Sequence, residues 1–152
     1  MTTTATSDRL DISADARPLY RAQVALDRAV GESALNPGLR DLVSLRASQL
    51  NGCAYCVDMH SRDALDKGET QQRLFAVAAW RESPLFDDRE RAALALTDAI
   101  TLIATQAERI DAAYEAAAAR FSTEELAALL YAIATINTWN RLAVPTHMVF
   151  EP

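Results

Sequence analysis

Residues 41–60, DLVSLRASQLNGCAYCVDMH, set an apolar helical run, a turn and a second helix start end to end, and they hold both cysteines and one of the two histidines of the chain. Upstream, Asn36-Pro37 opens a helix whose stripe includes Leu39, Leu42, Val43 and Leu50, and Asn51-Gly52 breaks it. The next helix is expected from about Cys53 to Lys67, stopped by Gly68. A helix-turn-helix junction with its chemistry at the turn is the expectation.

Outward from this junction the helical spacing repeats. Pro18 suits a first helical turn, and Leu19, Ala22, Leu26, Ala29 and Val30 make one apolar stripe before Gly31. Thr70 can cap a helix carrying Leu74, Val77, Ala78 and Trp80, Ser83-Pro84 marks a turn, and Asp87 or Asp88 can cap a long helix with Ala93, Leu96, Ile100 and Ile103 on one side. Residues 109–119, RIDAAYEAAAA, read as a short alanine-rich helix. Ser122-Thr-Glu-Glu125 fits a capping box ahead of Leu126, Leu129, Leu130, Ile133 and Ile136, and Pro145 separates this last helix from the tail. Strand signals are scarce, with only four glycines and no Asn-Gly hairpin between alternating runs. The expected fold is an all-α bundle of about six or seven helices. It forms one domain over residues 16–152, after a loose polar tail at residues 1–15.

Half of the 152 residues are hydrophobic, enough to bury a core without disulfide staples. The net charge of −6 is spread without a Lys/Arg block, which speaks against nucleic acid and anionic lipid as partners. The opening MTTTATSDRLDIS lacks a basic region followed by an apolar one, and no window approaches the roughly 18 apolar residues of a membrane span. A cytoplasmic protein with no membrane partner is expected. In a reducing compartment, two cysteines separated by two residues close too short a loop to constrain the unfolded chain, so a bond between them is transient and chemical.

On a helix, Cys53, Cys56 and His60 project from one face. Backbone N–H groups at the helix start favour thiolate over thiol and can lower a cysteine pKa from about 8.5. His60, one turn beyond Cys56, can accept that cysteine's proton and return it to a leaving oxygen, as cleavage of a peroxide bond requires. The helix field instead favours Cys53, nearer the N-terminus, so these two effects leave open which thiol attacks. Asp41, on the preceding helix, is a candidate to orient the imidazole or relay its proton, and is also placed as an ordinary first-turn acid. Zinc is a rival reading, with Asp41, Asp58 or His147 as fourth ligand, but structural zinc usually recruits a second ligand pair from a distant segment. No metal and no cofactor are therefore expected. Trp80, Trp139, Asn140 and Arg141 read as packing or subunit contacts.

An acidic residue, eleven residues and then C-x-x-C-x-x-x-H, as in residues 41–60, resembles the core motif of the alkylhydroperoxidase AhpD-like proteins of the carboxymuconolactone decarboxylase superfamily. The likeness continues less specifically through SRDALDKGE, AWRESPLF and INTWNRLAV. It implies an all-helical fold assembled as a homotrimer or hexamer, and a thiol peroxidase acting on a small hydroperoxide. By the same resemblance Cys56 becomes a sulfenic acid, Cys53 resolves it to a disulfide, His60 moves protons, Asp41 takes the acidic relay position, and an external lipoyl- or thioredoxin-like dithiol restores the pair.

The chain departs from that pattern twice. Asp41 stands where the family usually has glutamate, one methylene longer, and Tyr55 stands where the best-known members place a histidine between the cysteines. Tyrosine, with a pKa of about 10, carries protons poorly at neutral pH, so weaker peroxidase activity is expected. Two alternatives stand beside it. One is a redox-sensing or disulfide-exchange protein without fast peroxide turnover. The other is decarboxylation of a carboxymuconolactone-like acid, although such members generally lack the C-x-x-C pair.

Overall fold

Helix starts fall where short polar side chains can accept the first unpaired N–H groups. Asn36 accepts from Leu39 N, Thr70 from Arg73 N, and Asp87 and Ser122 each complete a capping box with Glu90 and Glu125. A computed structural model describes residues 9–148 and Phe150, and there the helices are α1 (Ile12–Asp15), α2 (Arg17–Gly31), α3 (Pro37–Asn51), α4 (Ala54–Asp66), α5 (Gln71–Ala76), α6 (Asp88–Thr101), α7 (Ile103–Gln106), α8 (Ile110–Ala118) and α9 (Thr123–Ala143).

The all-α bundle agrees with the expectation, but its nine α-helical segments among the described residues exceed the expected six or seven. The surplus is α1 and α7, single turns too short to show a period. Residues 1–8 of the expected tail lie outside the described residues, and Asp11 caps α1, whose Ile12 is buried. Past α5, residues 77–79 tighten into a 3₁₀ turn that carries Val77 into the core.

α3 lies at the centre, packed against α4, α6 and α9. Its Leu39 and Val43 join one apolar cluster with α6, α8 and α9, Leu42 and Leu45 join a second with Leu74, Trp80, Phe86 and Leu94, and Ala47 joins a third with the two cysteines. A helix buried on several faces cannot carry a single stripe. Trp80, expected as packing or a subunit contact, is an interior side chain whose Nε1 donates to buried Asp98.

α2 departs most from its pattern. Leu19, Ala22, Leu26 and Ala29 of the expected stripe face solvent, with Leu19 75% exposed, and Val30 is the helix's buried residue. The helix is held instead through Tyr20, whose ring meets Trp139 edge-on at 5.6 Å, through Gln23 Nε2 donating to Thr135 O, and through the Asp27–Arg40 ion pair at 2.9 Å.

Between α3 and α4, Gly52 adopts φ +66° and ends α3, its N–H and that of Cys53 closing on the carbonyls of Gln49 and Ser48. A Cβ there would meet no atom within 4 Å, so the demand is purely conformational. Gly52→Ala is expected to cost about 1–2 kcal/mol, read as a lowered urea midpoint at unchanged slope.

Candidate active site

The turn at Gly52 delivers Cys53 as the N-cap of α4 and Cys56 into its first turn. Cys53 Sγ accepts from Cys56 N at 3.4 Å and the two sulfurs lie 2.7 Å apart, both free thiols and both about 2% exposed. Ala47 of α3 and Ile136 and Ala143 of α9 pack around them. An S–S bond of about 2.05 Å is therefore within a small movement of two side chains.

Such closely placed thiols share one negative charge. The hydrogen bond with Cys56, then backbone N–H groups of Cys56 and Tyr55 and the Asn140 amide, bring the Cys53 thiol down to about 6 from an ordinary 9.0, against the opposing effect of burial. The same bond, burial and the charge on Cys53 push Cys56 up. Near neutral pH the thiolate is on Cys53 and the remaining proton on Cys56. The backbone N–H groups at the helix start act in the same direction, but the larger cause is the hydrogen bond with Cys56.

Access comes from the other sulfur. A cavity of about 160 Å³ is lined by Cys56, His60 and Met59 of α4, together with Tyr20, Asp27, Tyr55 and Trp139. His60 thus shares a cavity with Cys56, as their four-residue spacing requires. Its Nε2 is buried without a hydrogen-bond partner among the described residues. Burial lowers its proton affinity, opposed by the field of Asp41.

The unfolded chain therefore takes up a proton near the ordinary value of 6.5 that the folded imidazole refuses. Stability is unaffected above that pH and falls as pH drops toward the folded value, by about 1.4 kcal/mol per pH unit within the window. Urea titrations between pH 7 and 5 are expected to show this loss, and His60→Gln to flatten it. Parallel curves for the two proteins would contradict the assignment.

Asp41 lies elsewhere. Both carboxylate oxygens accept from Lys67 Nζ, at 2.9 and 2.8 Å, and the pair lines a separate concavity with Gly38, Ala64, Gly68 and Glu69. The carboxylate in the Cys56 cavity is Asp27, which its place outside the apolar stripe of α2 hides from sequence reasoning. Asn140, expected as packing, falls between Ile136 and Ala143 on one helical face, a spacing that points it at the sulfurs. Among the described residues no group of three or more His, Cys, Asp or Glu side chains is placed to hold a metal ion, so the ligands named for the zinc alternative are not brought together there. Nor is any described helix long and apolar enough to cross a membrane.

With this geometry in place, comparison with known proteins is direct. The profile of the Carboxymuconolactone decarboxylase family matches residues 17–99, from α2 through the cysteines to α6. The chain belongs to this family. Within it the protein is AhpD-like: a crystal structure of an Agrobacterium tumefaciens protein of unknown function, a candidate antioxidant defence protein AhpD, superposes with a TM-score of 0.90 at 38% identity, over 95% of this chain and 98% of the other. The uncharacterized protein YdfG of Bacillus subtilis is 38% identical over 120 residues, 78% of this chain and 80% of its own. The debrominase Bmp8, at 20% identity and a TM-score of 0.75 over 90% of this chain and 73% of its own, shares the fold.

Proposed function

We propose that this AhpD-like protein is a dithiol–disulfide redox protein of the antioxidant type, cycling Cys53 and Cys56 between two thiols and one disulfide. The observation that carries the reading is the buried pair of free thiols with their sulfurs 2.7 Å apart. The likeness to a candidate antioxidant defence protein supports it.

In this scheme the Cys53 thiolate is the base. It takes the proton of Cys56 across the short contact, and the Cys56 thiolate, the sulfur lining the cavity, attacks one sulfur of an incoming disulfide. The leaving thiolate takes the proton from Cys53, which then attacks Cys56 and expels the second half as thiolate, protonated from water. The balance is two cysteine thiols and one external disulfide converted to one protein disulfide and two external thiols. Reversal by an external dithiol, lipoyl-like or thioredoxin-like, restores the pair; the burial of both sulfurs favours a slender dithiol over a flat protein surface. A homotrimer or hexamer belongs to the same proposal, supported by the exposed apolar shoulder of α2.

One observation favours peroxide reduction as a second reading: His60 and Cys56 share the cavity. A hydroperoxide attacked by Cys56 leaves a sulfenic acid and, with one proton, an alcohol; Cys53 then closes the disulfide and releases water. Asp41, bound to Lys67, supports His60 through its field alone, so this half-reaction is expected to be slow. A carboxymuconolactone-like acid meets the Asp27 carboxylate in the cavity wall, a like charge that opposes its binding.

Mass spectrometry of the protein equilibrated in dithiol redox buffers tests the main reading. A reversible loss of two hydrogens on the peptide containing Cys53 and Cys56 is expected; a pair that stays reduced across the series would overturn it. Stopped-flow turnover of a small organic hydroperoxide at rates matching disulfide exchange would favour the second.

A further inference from the structure

We propose that Asn140 is a catalytic residue of this site, its side-chain amide donating to the charged sulfur pair and held in the donating orientation by a chain of side chains that ends at Arg141. The inference rests on the dithiol–disulfide reading above.

An asparagine side chain has an oxygen end that accepts and a nitrogen end that donates, of nearly equal size, so its surroundings decide which end faces a ligand. Here they decide in sequence. Arg141 Nη1 reaches Asn137 Oδ1 at 2.6 Å, and a guanidinium only donates. Asn137 Nδ2, at the other end, reaches the Ile133 carbonyl at 2.9 Å, which only accepts, and Thr101 Oγ1 at 3.0 Å. Asn137 is thereby fixed from both ends.

Its Oδ1 also accepts from Asn51 at 3.0 Å, so Asn51 must present nitrogen. That same nitrogen lies 2.9 Å from Asn140, which must therefore present oxygen to it. Asn140 Nδ2 then points the other way. One of its hydrogens goes to Ser48 Oγ at 3.0 Å, and the Ser48 hydroxyl passes its own to Ser44 O at 2.7 Å.

The second Nδ2 hydrogen is left for the sulfurs. Asn140, 1% exposed, sits on α9 between Ile136 and Ala143, the buried residues of that helix in the cysteine cluster, and its amide acts to lower the pKa of both thiols. The chain runs Arg141, Asn137, Asn51, Asn140, sulfur, and its two interior asparagines on α9 are almost wholly buried. A neutral amide fits this position because it stabilises negative charge on either sulfur, so the charge can pass from Cys53 to Cys56 without losing its donor. A cation in the same place would hold it as thiolate and slow the attack.

The test is the pH dependence of iodoacetamide alkylation of the reduced, full-length protein, resolved at each cysteine by mass spectrometry. Asn140→Asp keeps the shape and removes the N–H, and is expected to move the midpoint upward by about one to two pH units. Asn140→Leu is expected to move it in the same direction, and Thr138→Ala, exposed on the same helix, to leave it in place. An unchanged midpoint in folded Asn140→Asp overturns the assignment.

A measurement on the unsubstituted protein covers the case in which neither Asn140 variant folds. The ¹⁵N side-chain amide signal of Asn140 is expected to titrate with the alkylation midpoint, and a signal that stays fixed between about pH 5 and 8 overturns the inference. Failure of the pair to cycle in redox buffers defeats the redox reading itself. A pair that cycles with an alkylation midpoint indifferent to Asn140 defeats the inference alone.

Discussion

Serine at Cys53 is expected to end disulfide formation and to remove the acidic thiol of the site. With the Cys53 thiol near 6 and an ordinary cysteine at 9.0, the thiolate fraction at pH 7 falls from about 90% to about 1%. The residual Cys56, relieved of the Cys53 charge but still raised by burial, should alkylate about a hundredfold more slowly at neutral pH than the acidic Cys53 thiol of the unsubstituted protein. Serine at Cys56 also ends disulfide formation but acts differently, because its hydroxyl can still donate to the Cys53 thiolate. That variant should keep an acidic thiol behind the cavity wall. Alkylation rates resolved by residue between about pH 5 and 9 distinguish the two; identical profiles would contradict the division of labour between base and attacking sulfur.

Asp98→Ala is expected to cost about 3–5 kcal/mol, the largest loss of stability from one substitution on α6. The Asp98 side chain is 3% exposed and takes Arg46 Nε at 2.6 Å, Arg46 Nη2 at 3.2 Å, Trp80 Nε1 at 3.3 Å and the Arg81 guanidinium. Alanine would leave the Arg46 charge mostly buried without its anion and an indole N–H without an acceptor. At about 2–4 °C per kcal/mol for a chain of this size, calorimetry should show a drop of about 6–20 °C. The thiol midpoint should not move in the folded variant, since the Asp98 cluster lies apart from the sulfurs. A loss below about 1 kcal/mol would mean that the arginines find other partners.

What is legible in the sequence is local. The caps at Asn36, Thr70, Asp87 and Ser122 and the left-handed glycine at 52 are decided by residues within four positions of one another, and each element starts or stops there. The Cys53, Cys56 and His60 spacing is equally local, and the fold brings all three to one region. What escapes reading depends on partners far along the chain. Arg46 and Asp98 are 52 residues apart and Asn51 and Asn140 are 89 apart, and no spacing rule links them. α2 misleads because its apolar stripe points to core packing, whereas its polar edge, Tyr20, Gln23 and Asp27, attaches the helix, with Tyr20 and Asp27 lining the cavity.

That inverted attachment makes the two sides of the cavity unequal in how they are joined to the core. The sulfur side is built from α4 and α9 against a central helix gripped on several faces, whereas α2 on the opposite side is attached through one aromatic contact, one amide, one ion pair and the buried Val30. Tyr20 and Asp27 line the cavity from a different helix than the sulfurs, so substitutions there are expected to retune what enters without removing a contact of the thiol pair.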